Sequence, residues 1–353
     1  MAKTTGTKKT KGTFELSFDT AALVKRLLAE IPSRAREVLT LRFGLGTSAV
    51  RQTLEEIGSR WDVTRERVRQ IEAAGLDAVR AGKAFADAGA SFEELRKHVA
   101  GLGGIVAEEE LLAGLSKDEK ARNRIRFLLV VGSAFFRERE TDDFYARWHV
   151  DKNTAERVHE ALSKLYLSLD DEDVVPESEL MDRFLDELKE VNDAYRNEEV
   201  LKRWLSLSKT ISVNPLAEWG RATSSGIRTK GIRDYAYLAI KRHGKPMHFS
   251  EVAKAIGTLF NKRAHVATTH NELIKDSRFV LVGRGLYALK EWGYKPGVVR
   301  DVIREALAKK PLTKEEVIAA VKKTRYVKDN TILVNLNDRR YFKRSKEGTY
   351  QAA

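Results

Sequence analysis

Two helix-start signals stand eleven residues apart in TLEEIGSRWDVTRERVRQIE, residues 53–72. Thr53-x-x-Glu56 is a capping box, in which side chains and backbone donors satisfy one another reciprocally. Thr64 is a second N-cap residue, and Glu66 follows in the first turn, where the helix dipole favours a negative charge. Asp62-Val63 leaves room between them for a tight turn and little else. Leu54, Ile57 and Trp61 form the apolar stripe of the first helix, and Val68, Ile71 and Val79 that of the second, with Gly75 allowing close approach to a neighbour. The pattern predicts a helix-turn-helix. Two earlier helices lead into it. One carries Leu23, Val24, Leu27, Leu28 and Ile31 and stops at Pro32; the other carries Val38, Leu39 and Leu41 and ends near Phe43-Gly44.

The polar side of the second helix holds Arg65, Glu66, Arg67, Arg69 and Gln70, with Arg65/Arg69 and Glu66/Gln70 each at i,i+4. Arginine forks suit the O6/N7 edge of guanine or a phosphate, glutamate accepts from the cytosine amino group, and glutamine pairs with adenine. On the second helix of a helix-turn-helix these side chains lie where a major groove would be. An isolated run of this kind is more often a solvated ladder of ion pairs. The two caps and the tight turn, on a basic chain, favour double-stranded DNA as partner.

The chain has 353 residues with 64 Lys+Arg against 51 Asp+Glu, a net charge of +13 and a pI near 9.6. The excess is uneven: residues 1–82 hold 15 basic and 10 acidic side chains, 83–195 hold 16 and 26, and 196–353 hold 33 and 15. Basic ends flanking an acidic middle predict polyanion binding at the ends. The chain has no cysteine, which excludes disulfides, thiolate metal sites and cysteine nucleophiles and suits a reducing compartment. No run reaches the roughly 20 apolar residues of a membrane span, and the start MAKTTGTKKTKGTF lacks a signal-peptide core. A cytoplasmic, nucleoid-associated protein is expected, without a membrane partner. No phosphate-cradling GxxxxGK[ST] loop, carboxylate cluster or nucleophile–base pair is present, and His248, His265 and His270 lack metal-ligand spacing. Neither an enzyme, a metal, a cofactor nor a small-molecule substrate is expected.

After residue 83 a unit of amphipathic helices ending in an aromatic hairpin recurs. Leu129 precedes Phe135 by six residues, Leu273 precedes Phe279, Leu336 precedes Phe342, and Leu205 precedes Ile211. Helices followed by a hairpin are the plan of a winged helix. The expected fold is therefore mainly α, a helix-turn-helix domain followed by a string of winged-helix (α+β) domains. Its divisions are a basic disordered arm (1–12), the helix-turn-helix domain (13–82), an acidic winged-helix-like unit (83–170), an irregular one (171–231), a winged helix (232–294) and a basic C-terminal unit (295–353). In the last hairpin Arg339, Arg340, Lys343, Arg344 and Lys346 sit beside Tyr341, Phe342 and Tyr350, where a wing would follow a phosphate backbone. A solvated basic hairpin explains that composition equally well.

IPSRAREVLTLRFGLGTSAVRQTLEEIGSRWDVTRERVRQIE resembles region four of bacterial primary-type sigma factors, over roughly residues 20–82. The resemblance implies that the second helix reads the upstream promoter hexamer, about 35 base pairs before the start site. It assigns base or phosphate contacts to Arg65, Glu66, Arg69 and Gln70, with Arg67 and Thr64 on the backbone side. It also implies docking on the flap of the RNA polymerase beta subunit, with Leu23, Leu27 and Leu28 as the candidate surface, although helix core explains those leucines equally. The sequence departs from the family after IEA, where a basic stretch is replaced by AGLDAVRAG, and nothing elsewhere resembles the sigma regions that bind the polymerase clamp and melt the promoter. Residues 232–294, with HGKPMHFSEVAKAI and a hairpin of the form RF-x-x-x-G-x-G-x-Y-x-L, resemble the HARE-type winged helix, a module also found in the polymerase delta subunit. There His248 is a packing and capping residue. Together these features predict a non-enzymatic, sequence-specific DNA-binding transcription protein that works with RNA polymerase. The alternative is a polymerase accessory or anti-initiation factor that binds the beta flap, with DNA binding secondary.

Overall fold

The computed structural model describes residues 14–171, 173–188, 193–294, 298–308, 310–345 and 348–353. The arm expected at 1–12 and Lys346 lie outside the described residues. Within them the chain is mainly helical, with seventeen α-helices and eleven short strands, and it divides into two compact units. Residues up to 170 and 175–212 make one unit; 171–174 and 213–353 make the other.

The first unit opens with α1 (Thr20–Ala29), α2 (Ser33–Phe43), α3 (Leu54–Trp61) and α4 (Arg65–Ala81). It continues through α5 (Lys83–Asp87), α6 (Gly89–Gly101), β1 (Ile105–Ala107), α7 (Glu108–Leu115), α8 (Glu119–Val131), β2 (Phe136–Glu138), β3 (Arg147–His149) and α9 (Lys152–Ser168). Next come β4 (Val175–Pro176), α10 (Glu177–Glu187), α11 (Glu198–Leu205) and β5 (Ile211–Val213). β3 is the middle strand of an antiparallel sheet, with Ile105 and Phe136 both paired to His149.

One core gathers Leu23, Leu27 and Leu28 of α1, Leu39 and Phe43 of α2, and Val79 of α4. The same cluster takes in Leu111 and Leu112 of α7, Ile125, Leu128 and Leu129 of α8, and Trp148 of β3. It therefore runs unbroken past residues 82–83. Arg80, in the last turn of α4, donates from Nε to the Val131 carbonyl (3.2 Å) and from Nη2 to that of Val130 (2.9 Å). A cation on the last carbonyls of α8 is favourably placed in that helix's dipole. These contacts fix the end of α4 against the end of α8.

The second unit contains β6 (Glu218–Arg221), α12 (Ile232–His243), β7 (Met247–His248), α13 (Phe249–Phe260), α14 (Val266–Lys275), β8 (Phe279–Gly283) and β9 (Leu286–Leu289). β9 lies between β7 and β8, and a bulge between Leu281 and Gly283 shifts the β8–β9 register. His248 caps α13: its backbone N–H donates to Glu251 (3.2 Å), and its Nδ1 accepts from the Ser250 N–H (3.4 Å). The chain ends with α15 (Val299–Leu307), α16 (Lys314–Thr324), α17 (Asp329–Leu336) and the antiparallel pair β10 (Phe342–Arg344) and β11 (Tyr350–Ala352). Ile303, Val317, Val321, Ile332, Leu336 and Phe342 form their core.

The six-residue offset has a structural meaning. Leu129, Leu205, Leu273 and Leu336 lie in the last turns of α8, α11, α14 and α17, and Phe135, Ile211, Phe279 and Phe342 open or immediately precede the next strand. All eight side chains are buried.

Candidate nucleic-acid interface

α3 and α4 meet through a turn in which the chain nearly touches itself. Thr53 closes its capping box, accepting from the Glu56 N–H (3.2 Å) while its own N–H donates to Glu56 Oε2 (2.6 Å). Asp62 ends α3 in the left-handed region (φ 53°, ψ 45°), a conformation Asp tolerates better than most residues. Val63 then donates to the Gly58 carbonyl at 3.0 Å. A β-carbon on Gly58 would lie 2.6 Å from the Val63 carbonyl oxygen, so this helix position admits only glycine without a shift of the turn. Thr64 caps α4 by accepting from the Arg67 N–H (3.2 Å). Val38, Ile57 and Val68 form a buried cluster behind the turn, with Leu54, Trp61, Val63 and Ile71 packed around it. At Gly75 a β-carbon would sit 3.1 Å from that of Ala35, which is how closely α4 approaches α2.

With Val68, Gly75 and Val79 turned inward, Thr64, Arg65, Glu66, Arg67, Arg69 and Gln70 are all exposed. They lie together on the exposed side of α4, where i,i+3 pairs join the i,i+4 neighbours. Arg69 holds Glu66 through two hydrogen bonds, Nε to Oε2 (2.8 Å) and Nη2 to Oε1 (2.7 Å), and Arg67 donates to Gln70 (3.2 Å). Both are i,i+3 contacts, and Gln70 also reaches Glu66 at i,i+4. Arg69's hydrogen bond holds the Glu66 carboxyl below its usual range and raises Arg69 in turn. Glu66 thus stays an acceptor at neutral pH. Both side chains of the pair are more than half exposed, so solvent screens it and it can open readily onto a base edge.

The support beneath this face comes partly from residues that sequence reasoning missed. Arg42 of α2 donates to Glu72 (3.2 Å) and to the Gln52 carbonyl (2.7 Å), tying α2 to α4 and to the loop before α3. Asn123 of α8, fully buried, donates to the carbonyls of Ala49 (2.7 Å) and Gly44 (3.3 Å) and accepts from Arg126 (2.9 Å). Gly44 needs its left-handed conformation (φ 61°) here, where a β-carbon would meet the Ala49 oxygen at 2.6 Å and Asn123 Nδ2 at 2.7 Å. Nothing in the local pattern of α8 marks Asn123, because its partners lie 74 and 79 residues away.

The α1 stripe requires a correction. Leu23, Leu27 and Leu28 are 3%, 1% and 7% exposed and belong to the core shared with α8, so they present no surface to a partner. In the C-terminal hairpin Arg339, Arg340, Lys343 and Arg344 are exposed. Arg340 pairs with Asp338 through two hydrogen bonds (3.0 and 2.7 Å), and Arg344 lies 5.8 Å from the Tyr350 ring centre. Among the described residues no group of His, Asp and Glu is arranged to hold a metal, and no helix is long and apolar enough to cross a membrane.

Residues 27–81 match the family described as Sigma-70, region 4. Over 62 residues the chain is 42% identical to RNA polymerase sigma factor RpoD of Helicobacter pylori, which covers 18% of this chain and 9% of that protein. RNA polymerase sigma factor SigA of Nostoc sp. is 47% identical over 57 residues, or 16% of this chain and 14% of its own length. SigA of Clostridium acetobutylicum is 49% identical over 55 residues, with the same shares. The chain thus spans about a tenth of the length of the curated relatives it matches. The matched segment, similar to sigma region four, contains the whole of the α3–turn–α4 site.

Proposed function

We propose that this chain is a sequence-specific DNA-binding transcription protein that acts at promoters with RNA polymerase, without catalytic activity of its own. One observation carries the reading. In a segment matched to sigma region four, the first two turns of α4 present Arg65, Glu66, Arg67, Arg69 and Gln70 outward from a helix whose other face is locked into α2 and α3. On a duplex, the Arg69–Glu66 pair would open so that Arg69 forks onto guanine and Glu66 accepts from a cytosine amino group, while Thr64 and Arg67 face the backbone.

The segments 83–170, 232–294 and 295–353 are proposed as winged-helix modules, 83–170 sharing its core with the reader, 171–231 as an irregular further one whose residues divide between the two units, and 232–294 as HARE-type. The antiparallel hairpin after α14, with β7 added at its edge, and the hairpin after α17 support that plan. Arg339, Arg340, Lys343 and Arg344 would lie along phosphates. A cytoplasmic, nucleoid-associated location follows from the same reading. An accessory role through the polymerase beta flap has less support, because the leucines offered for it are inside the core.

The test is fluorescence anisotropy with a labelled duplex carrying the upstream promoter hexamer and one with that hexamer scrambled. The native protein should prefer the intact hexamer, and Arg69→Ala should shrink the preference by about 1–3 kcal/mol. Equal affinity for both duplexes, unmoved by the substitution, would refute base readout by α4.

A further inference from the structure

Tyr341, at the entry to β10, is surrounded by guanidinium groups. The Cζ atom of Arg300 lies 4.0 Å from its ring centre, that of Arg340 5.5 Å and that of Arg304 5.9 Å. All three are within cation–π reach of one half-buried ring. The arrangement is partly unfavourable to the helix that supplies two of them, although Arg304, in its last turn, suits the helix dipole. Arg300 and Arg304 are one turn apart on α15, where like charges at i,i+4 repel. Arg300 also stands in the first turn, at the positive end of the helix dipole, behind an N-cap residue (Val298) whose side chain cannot accept a hydrogen bond. The carboxylate at this cluster, Asp338, is committed to Arg340 and held down to about 2, chiefly by that hydrogen bond, with Arg300 adding to the effect. Natural proteins tend to break one or two local rules at functional sites and offset the cost elsewhere. An anion among the three cations would relieve the repulsion.

We propose that Arg300, Arg304 and Arg340, arrayed around Tyr341, form a phosphate-binding site for the backbone of double-stranded DNA. The choice of DNA as polyanion rests on base readout by α4; the site does not. The cluster is an open surface, with the Arg340 side chain 78% exposed and Arg304 also exposed, which suits a passing phosphodiester better than an enclosed nucleotide. Lys343 and Arg344 of β10, exposed on opposite faces of the strand, add positive charge near the cluster. Two of the three arginines lie outside the hairpin, and sequence alone gave no reason to join α15 to it.

The experiment uses the full chain and the scrambled duplex, so that base readout does not enter. Binding is measured by anisotropy across a salt series for the native protein and for the pair Arg300→Gln with Arg304→Gln. Losing two phosphate contacts should weaken binding roughly tenfold at moderate salt and reduce the slope of log K against log salt by nearly two. The preference for the intact hexamer should remain, since both duplexes lose equally. Native affinity and slope in a variant with an unchanged circular dichroism spectrum would overturn the proposal. If the pair does not fold, Arg304→Gln alone substitutes for it. That variant should lower the slope by about one, and a native slope there overturns the proposal equally. Failure of base readout by α4 would show separately, as loss of hexamer preference in the native protein while the two slopes still differ.

Discussion

Asn123→Ala probes how the helix-turn-helix depends on α8. The native amide has two carbonyls at Nδ2 and a guanidinium at Oδ1, an environment that fixes its orientation. The 2.7 Å bond to Ala49 is worth about 1 kcal/mol, and the longer one to Gly44 somewhat less. The bond from Arg126, being charge-assisted, is worth about 1.5 kcal/mol. Truncation also leaves the buried Gly44 carbonyl without this donor and opens a small void, so the total loss is about 3 kcal/mol. Urea unfolding followed by tryptophan fluorescence should show the transition of the first unit shifted down by about 1–1.5 M. Asn123→Asp should be no better, because it keeps an acceptor for Arg126 but turns a carboxylate towards two carbonyl oxygens. Base discrimination by α4 should weaken as well, since the loop at 44–52 leads directly into the Thr53 cap of α3. A loss below about 1 kcal/mol, with DNA preference intact, would refute the view that α8 holds this loop in place.

Three further outcomes rest on the same kind of geometry. Gly58→Ala, which in an ordinary helix interior would stabilise by up to about 1 kcal/mol, should instead destabilise by about 1–3 kcal/mol and erode hexamer preference, because the new carbon collides with the Val63 carbonyl; urea unfolding and anisotropy read the two effects. Glu108 is buried, which raises its carboxyl, but the hydrogen bond and charge of Arg137, with Arg126 and Trp148, outweigh burial and hold it below its usual range. Glu108→Gln should therefore cost about 3 kcal/mol in urea unfolding by leaving Arg126 buried without its counter-charge. Burial, then Arg147 and His149, push His159 down to about 4, and its Nε2 accepts from Arg147 Nε (2.6 Å). The folded state refuses a proton that the unfolded chain takes up near pH 6.5, so this contribution is complete above pH 6.5 and is lost as pH falls towards 4. After allowance for solvent screening it amounts to about 2 kcal/mol. His159→Gln keeps an acceptor for Arg147 and should flatten that part of the pH–stability curve.

Much of the interface was legible in the chain of residues, and for one reason: its signals are local. A capping box, an N-cap, a two-residue turn and an apolar stripe each act within one or two helical turns, so residues 53–81 specify both the turn and the outward face of α4. The same holds for the leucine-to-strand offset, whose members all prove buried. What lay beyond reach were contacts between residues far apart in sequence. A stripe such as Leu23, Leu27 and Leu28 announces that it will be covered, but not whether by another protein or, as here, by α8 a hundred residues on. Asn123 looks like an interruption in an apolar helix until Gly44 and Ala49 arrive to receive it. The meeting of Arg300 with Tyr341 turns on where whole helices dock. Short-range hydrogen bonds and periodicity set the elements; long-range packing decided which of their faces stayed exposed.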